Sequence, residues 1–304
     1  MHSPITLVDS SRSQTLTIEP AAGCVATSWR VGDREMLALP SPREEFLRSA
    51  RTGGIPLLYP YANRLRGDHF EVADRAVNLA ANAKLKRDPT GLPIHGLLLR
   101  WGDWIITQPS QHTLEASIRW ADHPSLMAAY PFAHTLRVLW QLARDDAHAT
   151  LSITTVIEAD QAQAVPVAFG WHPYLAVDVK NGAKLQLPRR RPIKLAPTGL
   201  PMLSAAHEAW IEASQETTGA NQDALFEIAD VDQPVCIALV DGTERTEILF
   251  QDGYRFLQIY SPTGQPFTCA EPMTAATASL NDAPTTIAAG ERMTASFQMR
   301  KALR

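Results

Sequence analysis

The chain has 304 residues, of which 45% are hydrophobic and 20% charged. That is ample material for a large core and argues against disorder. A formal net charge of −4 lacks the basic excess of a nucleic-acid binder, and three scattered cysteines, Cys24, Cys236 and Cys269, exclude a disulfide framework or a zinc knuckle and read as small buried hydrophobes in a reducing compartment.

The first residues, Met1-His2-Ser3-Pro4-Ile5-Thr6, lack the basic flank and apolar run of a signal peptide. No apolar stretch reaches the ~20 residues that span a bilayer. The expectation is a soluble, cytoplasmic protein with neither membrane nor nucleic acid as partner.

In chain order, Glu44–Arg51 has the composition of a short helix. Leu114, Ala116, Ile118 and Trp120 alternate as a strand, and Ser125–Ala129 is a second short helix. Leu136, Val138, Trp140 and Leu142 then alternate with their neighbours. They turn at Arg144-Asp145-Asp146 and return through Leu151, Ile153, Thr155 and Ile157, the pattern of a long antiparallel hairpin with one buried face. His207–Ser214 is a third candidate helix. Val235, Ile237 and Leu239 lead into an Asp241-Gly242 turn from which Glu247–Phe250 returns, and Met293, Ala295, Phe297 and Met299 form a closing strand. Strands are not interleaved with long helices, which argues against a parallel α/β sheet, and the prolines fall mostly between strand patterns, where they fit loops and edges. The expected fold is all-β: one large antiparallel β-sandwich domain across residues 1–304, with a few short helices and with function carried on loops.

Three polar segments stand out in this apolar pattern: Ile94-His95-Gly96-Leu97, Gly170-Trp171-His172-Pro173-Tyr174 and Cys269-Ala270-Glu271-Pro272-Met273-Thr274. Proline after His172 biases that residue toward extended backbone and removes a ladder hydrogen bond, which suits a side chain held at a strand end. Glu271 is a lone carboxylate in an apolar run, costly unless paired or functional. Together they offer an acid and a base for proton transfer at neutral pH. His69, His112, His123, His134, His148 and His207 lack such a context and read as surface or packing residues. Asn63-Arg64, after Gly53-Gly54-Ile55-Pro56 and Tyr59-Pro60-Tyr61-Ala62, presents a rigid fork of donors to a polar ligand or to a surface carboxylate alike. Asp223 alone passes for a turn or helix cap. Arg189-Arg190-Arg191 reads as a solvated basic strand end rather than a phosphate site.

Taken in order, Pro60-Tyr61-Ala62-Asn63-Arg64 with Gly67 and Phe70, His95-Gly96, Tyr130-Pro131-Phe132, Gly170-Trp171-His172-Pro173-Tyr174, Asp223 before Phe226, and Glu271-Pro272-Met273-Thr274 with Asn281 resemble the aldose 1-epimerase (galactose mutarotase) family. The resemblance implies the mutarotase-like supersandwich and the interconversion of α and β anomers of a free aldohexose, without metal or organic cofactor. It implies His172 as general acid on the ring oxygen, Glu271 as general base on the anomeric hydroxyl, and His95 assisting the acid side. Arg64 and Asn63 would hold the sugar, and Asp223 would take its hydroxyls. The partner is then a small sugar, and the protein a monomer or homodimer. Gly53-Gly54-Ile55-Pro56 and His95-Gly96-Leu97-Leu98-Leu99-Arg100 are closer to the related hexose-6-phosphate epimerases, in which case Arg66 or Arg100 would meet a phosphate. A non-catalytic carbohydrate-binding protein on the same fold is the alternative from another class.

Overall fold

A computed structural model describes residues 3–11, 13–49, 51–178, 182–203 and 206–303; the side chains of 108 and 109 are not described. Ala50, inside the expected helix Glu44–Arg51, and Met1 and His2 lie outside the described residues. The α-helices among these residues are short: Arg43–Arg48, Pro124–Ala129 and Ser279–Asp282. None is long and apolar enough to cross a membrane.

Most of the strands lie in two large sheets of antiparallel neighbours; Ile5–Val8, Gln14–Glu19, Val25–Val31 and Arg34–Glu35 form a separate four-stranded sheet, and two strand pairs stand apart. The nine-stranded sheet runs, edge to edge, Ser214–Thr217, Lys184–Leu187, Val235–Asp241, Glu244–Asp252, Arg292–Ala302, His148–Ala159, His134–Arg144, Thr113–Arg119, Ile105–Ser110. At its centre is the expected hairpin, with Val138 opposite Thr155 and Trp140 opposite Ile153. Leu136, Val138, Trp140 and Leu142 are buried while their neighbours stay partly or fully exposed, as alternation requires.

The smaller sheet runs Arg190–Ile193, Gln222–Ile228, Phe256–Ser261, Phe267–Met273, Gly170–Trp171, Leu57–Leu58, with Tyr174–Ala176 also paired to Phe267–Met273. Its inner face meets the nine-stranded sheet. Trp171 lies edge-on to Trp140 with ring centroids 6.1 Å apart, and its indole N–H donates to Thr155 Oγ1 at 3.1 Å. Each fully buried aromatic or aliphatic side chain of this kind contributes roughly 1.5–3 kcal/mol by its removal from water, so the inter-sheet seam is the main source of cohesion.

Three expectations are corrected, the first being that of three buried cysteines: Cys24 and Cys269 are buried but Cys236 is exposed on its strand. His207–Ser214 is not a helix: Ile211 exchanges both backbone hydrogen bonds with Arg190, and Ser214 begins an edge strand. The segment has no sustained apolar stripe to bury as a helix, and extended pairing to an open edge satisfies its backbone instead. The Arg189-Arg190-Arg191 run is not uniformly solvated either. Arg190 is 1% exposed and ion-paired to Glu216, while Arg189 pairs with Glu212 and Arg191 with Glu227. Three glutamates on neighbouring segments neutralise the run.

Candidate active site

Alternation places the site. Trp171 enters the inter-sheet core, so His172 turns to the opposite face of the smaller sheet. Gly170 pairs with Met273 and Tyr174 with Cys269, a register that sets His172 directly across from Glu271. Next to Glu271 on the other side is Gln258; Tyr260 pairs with Cys269, and Asp223 with Tyr260. A row of polar side chains thus crosses four adjoining strand segments on one face. Gly170 permits the close approach: a Cβ there would stand 2.7 Å from the Pro272 carbonyl oxygen.

The loops complete the cavity. His95 N–H donates to the Asn63 carbonyl at 2.9 Å, and both residues adopt left-handed backbone, φ 65° for His95 and 54° for Asn63. That conformation is uncommon outside glycine and turns both side chains inward at some conformational cost. Gly96 follows because any side chain would strike Tyr59, whose carbonyl oxygen would lie 2.2 Å from its Cβ. Arg64 is fixed by Nε to Asp88 Oδ2 at 2.6 Å and by Nη1 to Asn63 Oδ1 at 3.1 Å. Burial opposes ionisation of Asp88, but hydrogen bonds from Arg64, Thr90 and Leu92 outweigh it and hold its carboxyl below the usual range.

The result is a cavity of about 280 Å³ that gathers all six residues singled out by sequence: Asn63, Arg64, His95, His172, Asp223 and Glu271. His172 Nε2 lies 3.2 Å from Glu271 Oε1, and both side chains are at most 5% exposed. The His95 ring stands edge-on to His172 at 5.5 Å, and Tyr174 stacks flat on it at 4.5 Å with its hydroxyl 2.7 Å from Thr52 Oγ1. His95 Nδ1, His172 Nδ1 and Gln258 Oε1 are buried without a hydrogen-bond partner among the described residues. Unsatisfied buried groups are rare in folded proteins, and three in one cavity describe a surface built to receive a polar molecule.

Electrostatics at this site favour uncharged forms. Burial, reinforced by Asp223, raises the Glu271 carboxyl well above its usual range, and the Arg64 charge opposes the shift. Burial lowers His172 to about 3, with Lys86 adding to the effect, and burial with His172, Lys86 and Arg64 nearby pushes His95 well below its usual value. The 3.2 Å contact is therefore a pair sharing one proton between two reluctant ions, which makes that proton available for transfer.

Sequence reasoning missed Gln258, Tyr260 and Thr52, all of which line the cavity. Gln258 is 2% exposed and donates from Nε2 to Asp223 Oδ1. Its signal was available, since a glutamine amid Phe256-Leu257-Gln258-Ile259-Tyr260 is as anomalous as Glu271 in its own strand. Arg66 and Arg100 lie outside the cavity lining. Arg66 binds Asp282 through Nε and Nη2, and Arg100 is spent on the carbonyls of Phe46, Ser49, Leu99 and Arg51. A wider cleft of about 780 Å³ lies elsewhere, at Arg34, Asp241, Glu244 and Lys301, whose charges pair with one another. It holds none of the six residues.

A sequence model of the family described as Aldose 1-epimerase matches residues 10–300. Among solved structures the chain is similar to the Slr1438 protein of Synechocystis sp. PCC 6803, with TM-score 0.77, 20% identity, and coverage of 100% of this chain and 97% of that one. It is also similar to a GalM/aldose epimerase homologue from C. elegans (TM-score 0.78, 13% identity, 99% of each chain). A galactose 1-epimerase from Lactobacillus acidophilus NCFM gives TM-score 0.75 at 13% identity, covering 98% and 94%. No curated protein matches. At these identities the structural likeness establishes the shared mutarotase-like fold.

Proposed function

The chain belongs to the aldose 1-epimerase family and is an isomerase of the mutarotase type, and from that premise we propose that it interconverts the anomers of a free aldohexose using Glu271 as base and His172 as acid. The observation that carries the reading is the facing pair itself: Glu271 and His172, 3.2 Å apart, buried, in a cavity with four further polar residues of the family pattern. On this reading the chain is one domain with this cavity as its functional centre.

In this reaction the proton that the resting pair keeps on Glu271 first passes across the 3.2 Å contact to His172. Glu271 then takes the proton of the anomeric hydroxyl, the bond from C1 to the ring oxygen breaks, and His172 gives its proton to that oxygen. Rotation about C1–C2 in the open aldehyde exposes the other carbonyl face. Closure then returns the ring-hydroxyl proton to His172 and the Glu271 proton to the anomeric oxygen, so the pair holds one proton at the end as at the start. The two reacting oxygens share one carbon, which matches an acid and a base placed side by side. Arg64, whose charge lowers the pKa of Glu271, favours the ionised base. His95 assists the acid side, and Asn63, Arg64 and Asp223 hold hydroxyls. Each positioned acid or base typically contributes ~10²–10⁴-fold.

An unphosphorylated sugar is favoured by the lining. Two carboxylates, Asp223 and Glu271, face the cavity, whereas its one arginine is already engaged by Asp88, and Arg66 and Arg100 are committed elsewhere. A volume of about 280 Å³, near the lower end of ligand pockets at roughly 300–1,000 Å³, suits one sugar ring.

Polarimetry on freshly dissolved α-D-glucose and α-D-galactose tests this, with glucose 6-phosphate followed in parallel by a faster method. The expected result is acceleration over buffer on a free hexose that falls ~10²–10⁴-fold in Glu271→Gln. An undiminished rate in that variant removes Glu271 as base. Faster turnover of the phosphate ester moves the assignment to a hexose-6-phosphate epimerase, and sugar binding without acceleration makes the protein a binding module.

A further inference from the structure

Arg64 is held from a direction that the reaction scheme does not use. Residues 194–202 form a tight hairpin: Leu195 bridges Pro201, Ala196 N–H donates to Leu200 O, and Gly199 N–H donates to Ala196 O, the latter two at 2.8 Å. Ala196-Pro197-Thr198-Gly199 is a β-turn with proline and glycine at their favoured places, and Gly199 leaves it with φ +76°. Gly199 approaches the Arg64 side chain closely. A Cβ at Gly199 would stand 2.6 Å from Arg64 Nη1 and 2.9 Å from Cζ. The base of the hairpin is tied down in turn: Arg66 Nη2 donates to Pro201 O at 3.0 Å while its Nε and Nη2 form a two-pronged bond to Asp282. Asp282 belongs to the short helix Ser279–Asp282, and just before it Ala278 N–H donates to Arg64 O at 2.9 Å.

We infer that the 194–202 hairpin is the positioning element of the sugar-binding arginine: Gly199 presses the Arg64 guanidinium into its place at the cavity, and the Arg66–Asp282 pair latches the hairpin that carries Gly199. The inference rests on the reading of Arg64 as a sugar ligand. Arg64 has Asp88 on Nε and Asn63 on Nη1, so its plane is defined by two hydrogen bonds and one steric wall. Remove the wall's fit and the guanidinium must tilt, because its other contacts sit on carboxylate and amide oxygens that tolerate rotation. Arg66, outside the cavity lining, then has a role that needs no phosphate. Glycine is required at 199 for two independent reasons, the left-handed backbone and the missing Cβ. The misplacement acts on a group that holds the sugar rather than on the proton-transfer pair, so it weakens ground state and transition state alike and appears in KM.

Steady-state mutarotation by Gly199→Ala, Arg66→Ala and Arg64→Ala, with Thr198→Ala on the same turn as control, decides it. KM is expected to rise roughly tenfold in Gly199→Ala and severalfold in Arg66→Ala, with kcat within about threefold of the parent. Thr198→Ala stays at the parent values. Combining Gly199→Ala with Arg64→Ala should add nothing to the KM of Arg64→Ala alone, since both act through one guanidinium. A Gly199→Ala enzyme with unchanged KM, a loss confined to kcat, or full additivity with Arg64→Ala overturns the inference while Arg64→Ala still raises KM. If Arg64→Ala itself leaves KM unchanged, the sugar-ligand reading fails first and the inference falls with it.

Discussion

The central hairpin His134–Ala159 and the strand Phe267–Met273 are built on the same antiparallel ladder and treat buried polar groups in opposite ways. In the hairpin His134 is buried with both ring nitrogens bonded, Nε2 accepting from Tyr59 Oη and Nδ1 donating to Phe132 O, each at 2.6 Å. Thr155 takes the Trp171 indole N–H, and Trp140 Nε1 is the one unpaired buried side-chain atom among the described residues of that hairpin. On the Glu271 strand the polar atoms meet each other as reluctant ions, and the neighbouring His172 Nδ1 and Gln258 Oε1 stay unpaired. A fully satisfied network adds to stability, whereas a half-satisfied one costs it and keeps affinity in reserve for a ligand. The difference assigns cohesion to one sheet and chemistry to the outer face of the other.

The largest break of that comparison is Trp140→Ala. The side chain is 0% exposed at the inter-sheet seam, so its removal should cost ~3–5 kcal/mol of unfolding free energy. Urea unfolding measures it, and the activity of the protein that remains folded should stay near the parent value. A stability-neutral substitution, or inactivation without unfolding, would erase the division of labour between the sheets.

Glu271→Gln sharpens the same comparison from the other side, by way of stability against pH. The folded-state pKa of Glu271 is raised above its ordinary 4.5. Its favourable contribution is therefore complete below about 4.5 and is lost as pH rises toward the folded value, because the unfolded chain releases a proton that the native state retains. His172, lowered from 6.5 to about 3, acts in the opposite sense, destabilising as pH falls through that window. Glutamine removes only the first effect. Thermal unfolding should show Glu271→Gln gaining on the parent as pH goes from 5 to 8, even though turnover is lost. A constant difference across that range would mean that Glu271 is not held against ionisation.

Much of this division was legible in the sequence, for local reasons. Strict alternation through Leu136, Val138, Trp140 and Leu142 specifies a half-buried strand whatever its partners, and His172 at a strand end and Glu271 within an apolar strand betray themselves as polar residues next to proline. What was not legible is register between distant segments. Nothing local states that residue 172 faces 271, or that Gln258 and Asp223 extend the row; those neighbours come from the register of pairing between separate strands. Asp223 passes for a turn residue when read alone. The same non-locality misled the reading of His207–Ser214, where an edge strand offered partners that a helix would have had to supply itself. Arg190 likewise reads as solvated until Glu216 is brought against it by the Lys184–Leu187 and Ser214–Thr217 pairing.

The smallest expected effect probes the seam between the two kinds of region. Tyr174 brings a satisfied polar group against the proton-transfer pair: its ring lies on His172 at 4.5 Å with planes 7° apart, and its hydroxyl meets Thr52 Oγ1 at 2.7 Å. Phenylalanine keeps the ring and loses one hydrogen bond, a change of about 0.5–1.5 kcal/mol, so Tyr174→Phe should lower kcat by no more than about tenfold. Leucine removes the aromatic face as well. An imidazolium against an aromatic face is favoured over one against an aliphatic chain, so Tyr174→Leu should reduce kcat further and shift the acid limb of kcat/KM to lower pH, where the charged form of His172 has become harder to reach. Equal losses in the two variants would place the whole effect in the Thr52 hydrogen bond. A shifted acid limb in leucine alone would place it in the stack, and would make Tyr174 the residue through which core-like packing tunes the acid.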